Sequence, residues 1–538
     1  MASLSLLIKD ERGRLKDEKE VHPSAFVLHP SDWQSLDDLM PRLEAVRFIA
    51  VVSTFRVHLG DVKAAAAEAQ VLARLNGMAA RVVVFRVGHV VGGPSRASVW
   101  LRRLGFAYPL VPARMRSCFV ADSELSAAID AERFAAPSRR LVALLGPNRP
   151  WRDVLREHRR PGIGSALLRG ICFLLSFLLV GHFAALILDL LALWRPSLRR
   201  FNLDTLRPES TAELLALYNP HNFQHVKVVG YNNGAVHFGH RFPGKTVVST
   251  VRCNRIVRSK PDIIKADCGA TIRKATDFLA AAGQELFVIP NYSYVCLGTA
   301  FFVPIHGSAA DFTTVAETIV KALLYDPMCD RYILATSDDP EFRDNVYNMA
   351  STLLVVRLWI RVKPKASYFV HKQALTGATS EQLLDALRDT QATNVEIRKS
   401  KASGNTVQLS KYYKAATETS GDVLEIPRDS LGRLWDRLEE NAVTSFLMHA
   451  LTRWLAWHVE LFFTGEEFAT FWQTHQALPL KKIQLRYIRR DGLPQSPFCE
   501  HDCVSVDMFM FRWKRAAFET YLKQTFAVVR SNPGKHSQ

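Results

Sequence analysis

From Phe48 to Val52 the chain is unbroken apolar sequence ending in the hydroxyls Ser53 and Thr54, the pattern of a strand covered on both faces. Ala64 to Leu75 follows, rich in alanine and nearly free of helix breakers. Arg81 to Arg86 then forms a second apolar run that stops at Gly88 and the Gly92-Gly93-Pro94 turn. Strand, helix and strand at this spacing predict a parallel crossover unit. The next pattern differs in kind. Gly170 to Trp194 is apolar almost throughout, interrupted only by Ser176, His182 and Asp189. A helix over 170–194 would reach about 37 Å, more than the ~30 Å hydrocarbon core of a bilayer.

Beyond Pro196 the periods shorten to alternating strands and helices. Ser210, with Glu213 three places on, marks a helix start. Strands are expected over Val226–Gly230, Thr246–Thr250 and Ile263–Asp267, and a helix over Ile272–Ala281. Helices follow over Ser380–Arg388 and Arg428–Asn441, and strands over Lys482–Ile488 and Val504–Phe511. The fold class is multidomain, α/β and α+β, in four parts. Residues 1–150 form a partial Rossmann-like domain and 151–200 a basic and hydrophobic helical segment. Residues 201–365 form one α+β domain and 366–538 another; the family resemblance given below implies a cofactor role for the first and a substrate (cap) role for the second.

Charge sharpens the picture at one place. The 538 residues carry a formal charge of +17, which draws anionic partners. Arg149, Arg152, Arg156, Arg159, Arg160 and Arg169 precede the apolar segment, and Arg195, Arg199 and Arg200 follow it. Arginine on both flanks leaves orientation open. The segment is read as a span, a helical hairpin in one leaflet, or a buried helix between domains. An anionic membrane surface is the expected partner, met from the cytoplasmic side. Nucleic acid is not expected, since neither an RNA-binding aromatic signature nor a zinc-finger spacing is present. The eight cysteines are scattered and no secretory signal precedes them, which suggests free thiols in a reducing compartment. Cys499, His501 and Cys503 lack zinc-site spacing, so no metal is expected.

Two stretches resemble known families. Val51-Val52-Ser53-Thr54, the helix from Lys63 through Glu68, and Phe85-Arg86-Val87-Gly88 resemble part of an extended short-chain dehydrogenase or nucleotide-sugar epimerase. No Gly-rich pyrophosphate loop lies upstream, and Leu59 stands where that family's tyrosine would precede Lys63. The resemblance therefore implies a non-catalytic domain, with an NAD-dependent epimerase or reductase as an alternative.

The second stretch runs from the helix at Ser210 through Gly230-Tyr231-Asn232-Asn233-Gly234, the Gly269-Ala270 strand-to-helix step and Gly298-Thr299-Ala300 to His306-Gly307-Ser308. In order and spacing it resembles the flavin-binding (PCMH-type) domain of the vanillyl-alcohol-oxidase superfamily, nearest to aldonolactone and alditol oxidases. The resemblance implies FAD held by Gly230, Tyr231, Asn232, Asn233, Gly234, Gly298, Thr299, His306, Gly307 and Ser308. Glycine and asparagine suit such turns because they admit positive φ and unhindered backbone N–H groups. Asn233 stands where relatives carry the linking histidine, so non-covalent FAD is implied. Gln484-Leu485-Arg486 resembles the family's Glu-x-Arg strand, with Gln484 in place of the acid. Gly534-Lys535 resembles the segment whose lysine lies by the flavin. Arg486, Gln484 and Lys535 are thus the implied catalytic group, for oxidation of a hydroxyl-bearing carbon in a sugar, polyol, or lipid- or nucleotide-linked sugar. The alternative is a non-catalytic membrane scaffold that keeps a decayed flavin fold.

Overall fold

The computed structural model describes residues 25–29, 32–33, 36–44, 46–92, 96–134, 141–158, 163–201, 203, 205–230, 242–290, 293–309, 311–414 and 455–532. They fall into two units. One comprises residues up to Val228 with Arg241–Ser249 and Pro327–Asp330, and the other holds the remainder.

In the first unit, strands β1 (Ala25–Leu28), β2 (Phe48–Thr54) and β3 (Arg81–Val87) lie parallel, with β6 (Leu141–Leu144) parallel beside β3. The apolar run from Phe48 is a central strand, buried except at Thr54. Helix α1 (Leu36–Leu43) and helix α2 (Val62–Leu75) cover one face. Val71 and Leu75 of α2 pack on Phe26, Ile49 and Val51. The N-terminus of α2 is set by Asp61, whose side chain accepts from Ala64 N at 3.1 Å. Helix α3 (Arg96–Leu104) lies to one side, and helix α4 (Asp122–Phe134) buries Leu125, Ala128 and Ile129 on the opposite face. The predicted crossover is present, right down to its helix covering the sheet.

A smaller sheet joins β4 (His89–Val91), β5 (Arg116–Ala121) and β7 (Asn148–Pro150). Helix α5 (Trp151–Glu157) packs Trp151, Val154 and Leu155 against Phe119 and Leu101. The apolar segment is two helices, α6 (Ile163–Phe177) and α7 (Val180–Trp194), bent by 74° at the break between them. Of the readings open from the sequence, this corrects the single continuous helix over 170–194. No single helix among the described residues is long and apolar enough to cross a membrane. Three features make the elbow. Ser176 Oγ donates to Phe173 O at 2.6 Å, which competes with the helix ladder. Leu179 takes the left-handed conformation with φ 55°. Gly181 lets α7 approach the chain at Leu110, whose carbonyl oxygen would lie 1.6 Å from a Cβ there. Further on, β8 (Thr205–Leu206), β9 (Val226–Val229) and β10 (Thr246–Ser249) form a three-stranded sheet. Between β8 and β9, helix α8 (Thr211–Leu217) starts at the expected cap, where Ser210 accepts from Glu213 N at 3.2 Å.

The second unit holds two antiparallel sheets. The first is ordered β11 (Ile256–Lys260), β12 (Ile263–Asp267), β16 (Leu354–Pro364), β14 (Ile319–Asp326), β15 (Arg331–Thr336), with β13 (Gln284–Leu286) also paired to β16. Helices α9 (Ile272–Ala280), α10 (Leu297–Phe302) and α11 (Pro340–Arg343) accompany it. The second sheet has seven strands, taken here in chain order. They are β17 (Tyr368–Thr376), β18 (Asn394–Ser400), β19 (Thr406–Lys414), β20 (Ala456–Phe463), β21 (Leu480–Ile488), β22 (Cys503–Phe511) and β23 (Arg530–Ser531). Their spatial order is β17-β19-β18-β21-β22-β20-β23.

Strand alternation splits this sheet into two unlike faces. Ile397, Leu409, Val459, Leu461, Leu485, Val506 and Met508 point to one side. There they meet α12 (Ser380–Leu387), α13 (Gly465–Thr474) and α14 (Arg515–Thr525) through Leu383, Phe468, Phe471 and Phe518. Each fully buried side chain of this kind stabilises by about 1.5–3 kcal/mol. The opposite face carries the chemistry. The helix expected over Arg428–Asn441 lies outside the described residues.

Candidate functional site

Alternation that places Val459 and Leu461 in the core must turn His458, Glu460 and Phe462 the other way, and the same holds for Gln484 and Arg486 beside Leu485. The ladders set these residues in rows. Asp507 stands opposite both Glu460 and Gln484, and Ser505 opposite both Phe462 and Arg486. The pairing of Ile397 with Leu485 brings Glu396 alongside Arg486.

Glu396, Gln484, Arg486, Glu460 and Ser505 are all buried. Ions taken out of water in this way need partners. Glu396 finds three. Gln484 Nε2 donates to its Oε1, Arg486 Nε lies 3.5 Å from the same oxygen, and Arg398 Nη2 lies 2.7 Å from Oε2. A carboxylate beside Arg486 is thus supplied by Glu396 of the neighbouring strand. Arg486 is only 4% exposed, and its Nη2 has no hydrogen-bond partner among the described residues. A buried guanidinium N–H left unpaired costs about 1–3 kcal/mol or more, so an acceptor is wanted there.

Glu460 is the centre of a second cluster. Its Oε1 accepts from Ser505 Oγ at 2.7 Å and lies 2.7 Å from His306 Nε2, while its Oε2 accepts from Asn532 Nδ2 at 2.8 Å. The rings of Phe462 and Phe498 meet the His306 imidazole edge-on. The His306-Gly307-Ser308 turn is thereby tied to the large sheet, and Ala309 bridges to Asn394. Gly307 packs against Val288 and Ile289, and its N–H donates to Thr313 O at 3.1 Å. Ser308 is half-buried. On the same face, His458 Nε2 pairs with Asp507 Oδ1.

The structure gathers Gly230, Gly298 and Thr299 in one place. A Cβ on Gly230 would lie 2.5 Å from Thr299 Oγ1, and one on Gly298 would lie 2.8 Å from Cys268 Cβ. Gly269 completes the group, with Thr250 O only 1.7 Å from its notional Cβ. The glycines are therefore demanded by the chain's own close packing. Burial, helped by the neighbouring Cys253 and Cys296, pushes the Cys268 thiol well above its usual range, so it is an inert packing group. Tyr231, Asn232, Asn233, Gly234 and Lys535 lie outside the described residues.

Other singled-out residues have plain local roles. Asp491 accepts from Ser496 Oγ at 2.6 Å and from Leu493 N at 3.1 Å, closing a loop, and burial raises its pKa. Cys503 opens β22 and contacts the carbonyl of His501 at 3.4 Å. Among the described residues no three His, Cys, Asp or Glu side chains stand as a metal-binding group. In the first unit, Ser53 Oγ donates to Glu68 at 2.6 Å, and Glu68 also holds Arg86 at 2.8 Å. The strand-end hydroxyl of the dehydrogenase-like pattern is committed to that buried ion pair.

Sequence reasoning missed Glu396, Glu460 and the His458–Asp507 pair. A signal existed: Glu460 is a lone carboxylate in the apolar run Trp457 to Phe463, and Glu396 sits between Val395 and Ile397. Both patterns mark a strand with one polar face that the fold then covers.

No family model matches the chain, and no curated protein matches it. Solved structures that it is similar to include a solvent-stable cholesterol oxidase. The identity is 15%, the match covers 61% of this chain and 82% of that one, and the TM-score is 0.43. Two structures of cholesterol oxidase from Brevibacterium sterolicum, one a histidine-to-alanine mutant, match over the same shares at 12% and 10% identity with a TM-score of 0.42. A likeness this distant carries no argument about the chemistry of this chain.

Proposed function

We propose that the second unit binds FAD non-covalently and oxidises a hydroxyl-bearing carbon, in a sugar, a polyol or a lipid-linked sugar. The observation that carries the reading is Arg486, a buried cation on the polar face of the large sheet whose Nη2 has no partner among the described residues. FAD, when bound, supplies the two-electron acceptor. The chain supplies the surroundings. Arg486 offers a fixed positive charge, and a donor that no described residue engages, to an anionic group on the flavin or on a developing alkoxide. Glu396 orients Arg486, and Gln484 holds Glu396 in turn. Gly230, Gly298, Thr299, Gly307 and Ser308 are the described residues that would border the cofactor, along with His306. His306 is a positioning residue, locking its turn to Glu460.

The test is spectroscopic. Purified protein should be yellow, release its flavin on acid precipitation, and bleach anaerobically when the right sugar or polyol is added. Colourless protein that ignores added FAD contradicts the reading.

A second reading has its own observation. The glycines that resemble a cofactor cradle are accounted for by internal packing, as in a flavin fold kept only as a scaffold. In that case Arg486→Met would leave every measurable property but stability unchanged.

A further inference from the structure

The elbow of α6 and α7 is built inside out. On α6 the positions turned toward the protein are Arg169, Cys172 and Ser176, spaced as one helix stripe. On α7 they are Gly181, Ala185 and Ala192, with one large residue, Leu188, and Asp189, which is bonded to Arg114 at 2.8 Å. The large apolar residues point outward. Leu174 is 68% exposed, Phe177 71%, Phe183 62% and Trp194 77%. A core helix of a water-soluble protein has the opposite pattern, burying its large residues and exposing its small and polar ones. Small residues toward the protein and large ones outward is the arrangement of a helix solvated by lipid. A soluble monomer rarely exposes a contiguous apolar patch of more than a few hundred Å².

Length and charge decide what kind of membrane contact this is. Each helix has 15 residues, about 22 Å, short of the ~30 Å hydrocarbon core. The 74° bend keeps the pair from acting as one straight rod. Around the elbow lies a basic rim. Helices α3 and α5 both pack on the turn Gly105–Leu110 that also supports α6, and they expose Arg102, Arg103, Arg152 and Arg156. Arg195 and Arg199 follow α7, also exposed. Among the carboxylates on these elements, Asp153, Glu157 and Asp189 each pair with an arginine. Exposed Trp100 and Trp194 sit at the same border, where indole rings favour the headgroup layer.

We infer that the α6–α7 elbow is a monotopic membrane seat: it inserts into one leaflet of an anionic bilayer, with Phe177 to Phe183 deepest and the arginine rim on the headgroups. Both ends of the elbow stay on the same side of the membrane.

The full chain tests this by flotation with preformed vesicles of phosphatidylcholine alone or mixed with phosphatidylglycerol. Binding should favour the anionic vesicles and survive high salt. The triple variant Leu174→Glu, Phe177→Glu, Phe183→Glu should keep its circular dichroism and bind roughly a hundred-fold or more weakly. Cysteines placed at Gly164→Cys and Arg199→Cys should both react with an impermeant maleimide added outside sealed vesicles, read by peptide mass. Absence of flotation, complete release by salt, or protection of one cysteine overturns the inference. A lipid-free dimer that the triple variant dissolves would also overturn it, by assigning the face to a second copy of the chain.

Discussion

The elbow of α6 and α7 and the polar face of the seven-stranded sheet break the usual rule of burial in opposite senses. The elbow holds leucine and phenylalanine out to solvent and turns glycine, alanine and serine inward. The sheet takes two glutamates, a glutamine and an arginine out of water. Each inversion costs free energy in the isolated chain. The remedies differ as well. At Glu460 the protein satisfies nearly all the demand internally, through His306, Ser505 and Asn532. At Arg486 the Nη2 has no partner among the described residues, and at the elbow the large outer side chains are exposed among those residues.

The contrast can be broken most forcefully at Glu460. Glu460→Ala strands His306, Ser505 and Asn532 in the interior, and loss of one partner of a buried pair costs about 3–5 kcal/mol. Urea denaturation should show that loss, and a double-mutant cycle with His306→Ala should be strongly non-additive. Independent losses that simply add would mean that the two side chains are not coupled.

Acidification comes next. His89 is enclosed by Phe55, Phe119 and Trp151, and burial lowers its pKa to about 4. Between the ordinary histidine value near 6.5 and about 4, the unfolded chain takes up a proton that the folded chain refuses. Stability should therefore be full above that window and fall as pH drops through it, by up to roughly 3 kcal/mol. His89→Phe should flatten this slope, and an unchanged slope would place the titration elsewhere.

The elbow offers a paired test. Gly181→Leu forces a side chain against Leu110 and should cost about 1–3 kcal/mol, whereas Leu174→Gln on the outer side should cost under about 0.5 kcal/mol in detergent. Thermal denaturation of both in one detergent compares them directly, and equal costs would deny that the helices have an inner and an outer face.

Much of the scaffold was legible from the chain alone. The run from Phe48 announced a central strand because continuous apolar sequence needs cover on both faces. Ser210 announced α8 because its hydroxyl could reach Glu213 N. Other features were not legible, for physical reasons. The strand Tyr368–Thr376 is mostly solvent-facing, so little hydrophobic pattern marks it. The break at Leu179 has no proline, and it depends on how closely Gly181 approaches Leu110. Glu460 and His306 are 154 residues apart, and Glu396 reaches Arg486 only through strand register. Sequence placed Arg486 on a strand, and the register of the adjoining strand brings Glu396 beside it.

The central claim is that Arg486 awaits an anionic acceptor on a bound flavin, and thermal unfolding with FAD tests it most directly. At a hundred-fold excess over Kd, FAD should stabilise the wild type by about 2.7 kcal/mol. Arg486→Met, which also takes a partner from buried Glu396, should melt lower than wild type without ligand and lose most of the gain on adding FAD. A wild type indifferent to FAD, or an Arg486→Met variant stabilised by it equally, would contradict the account.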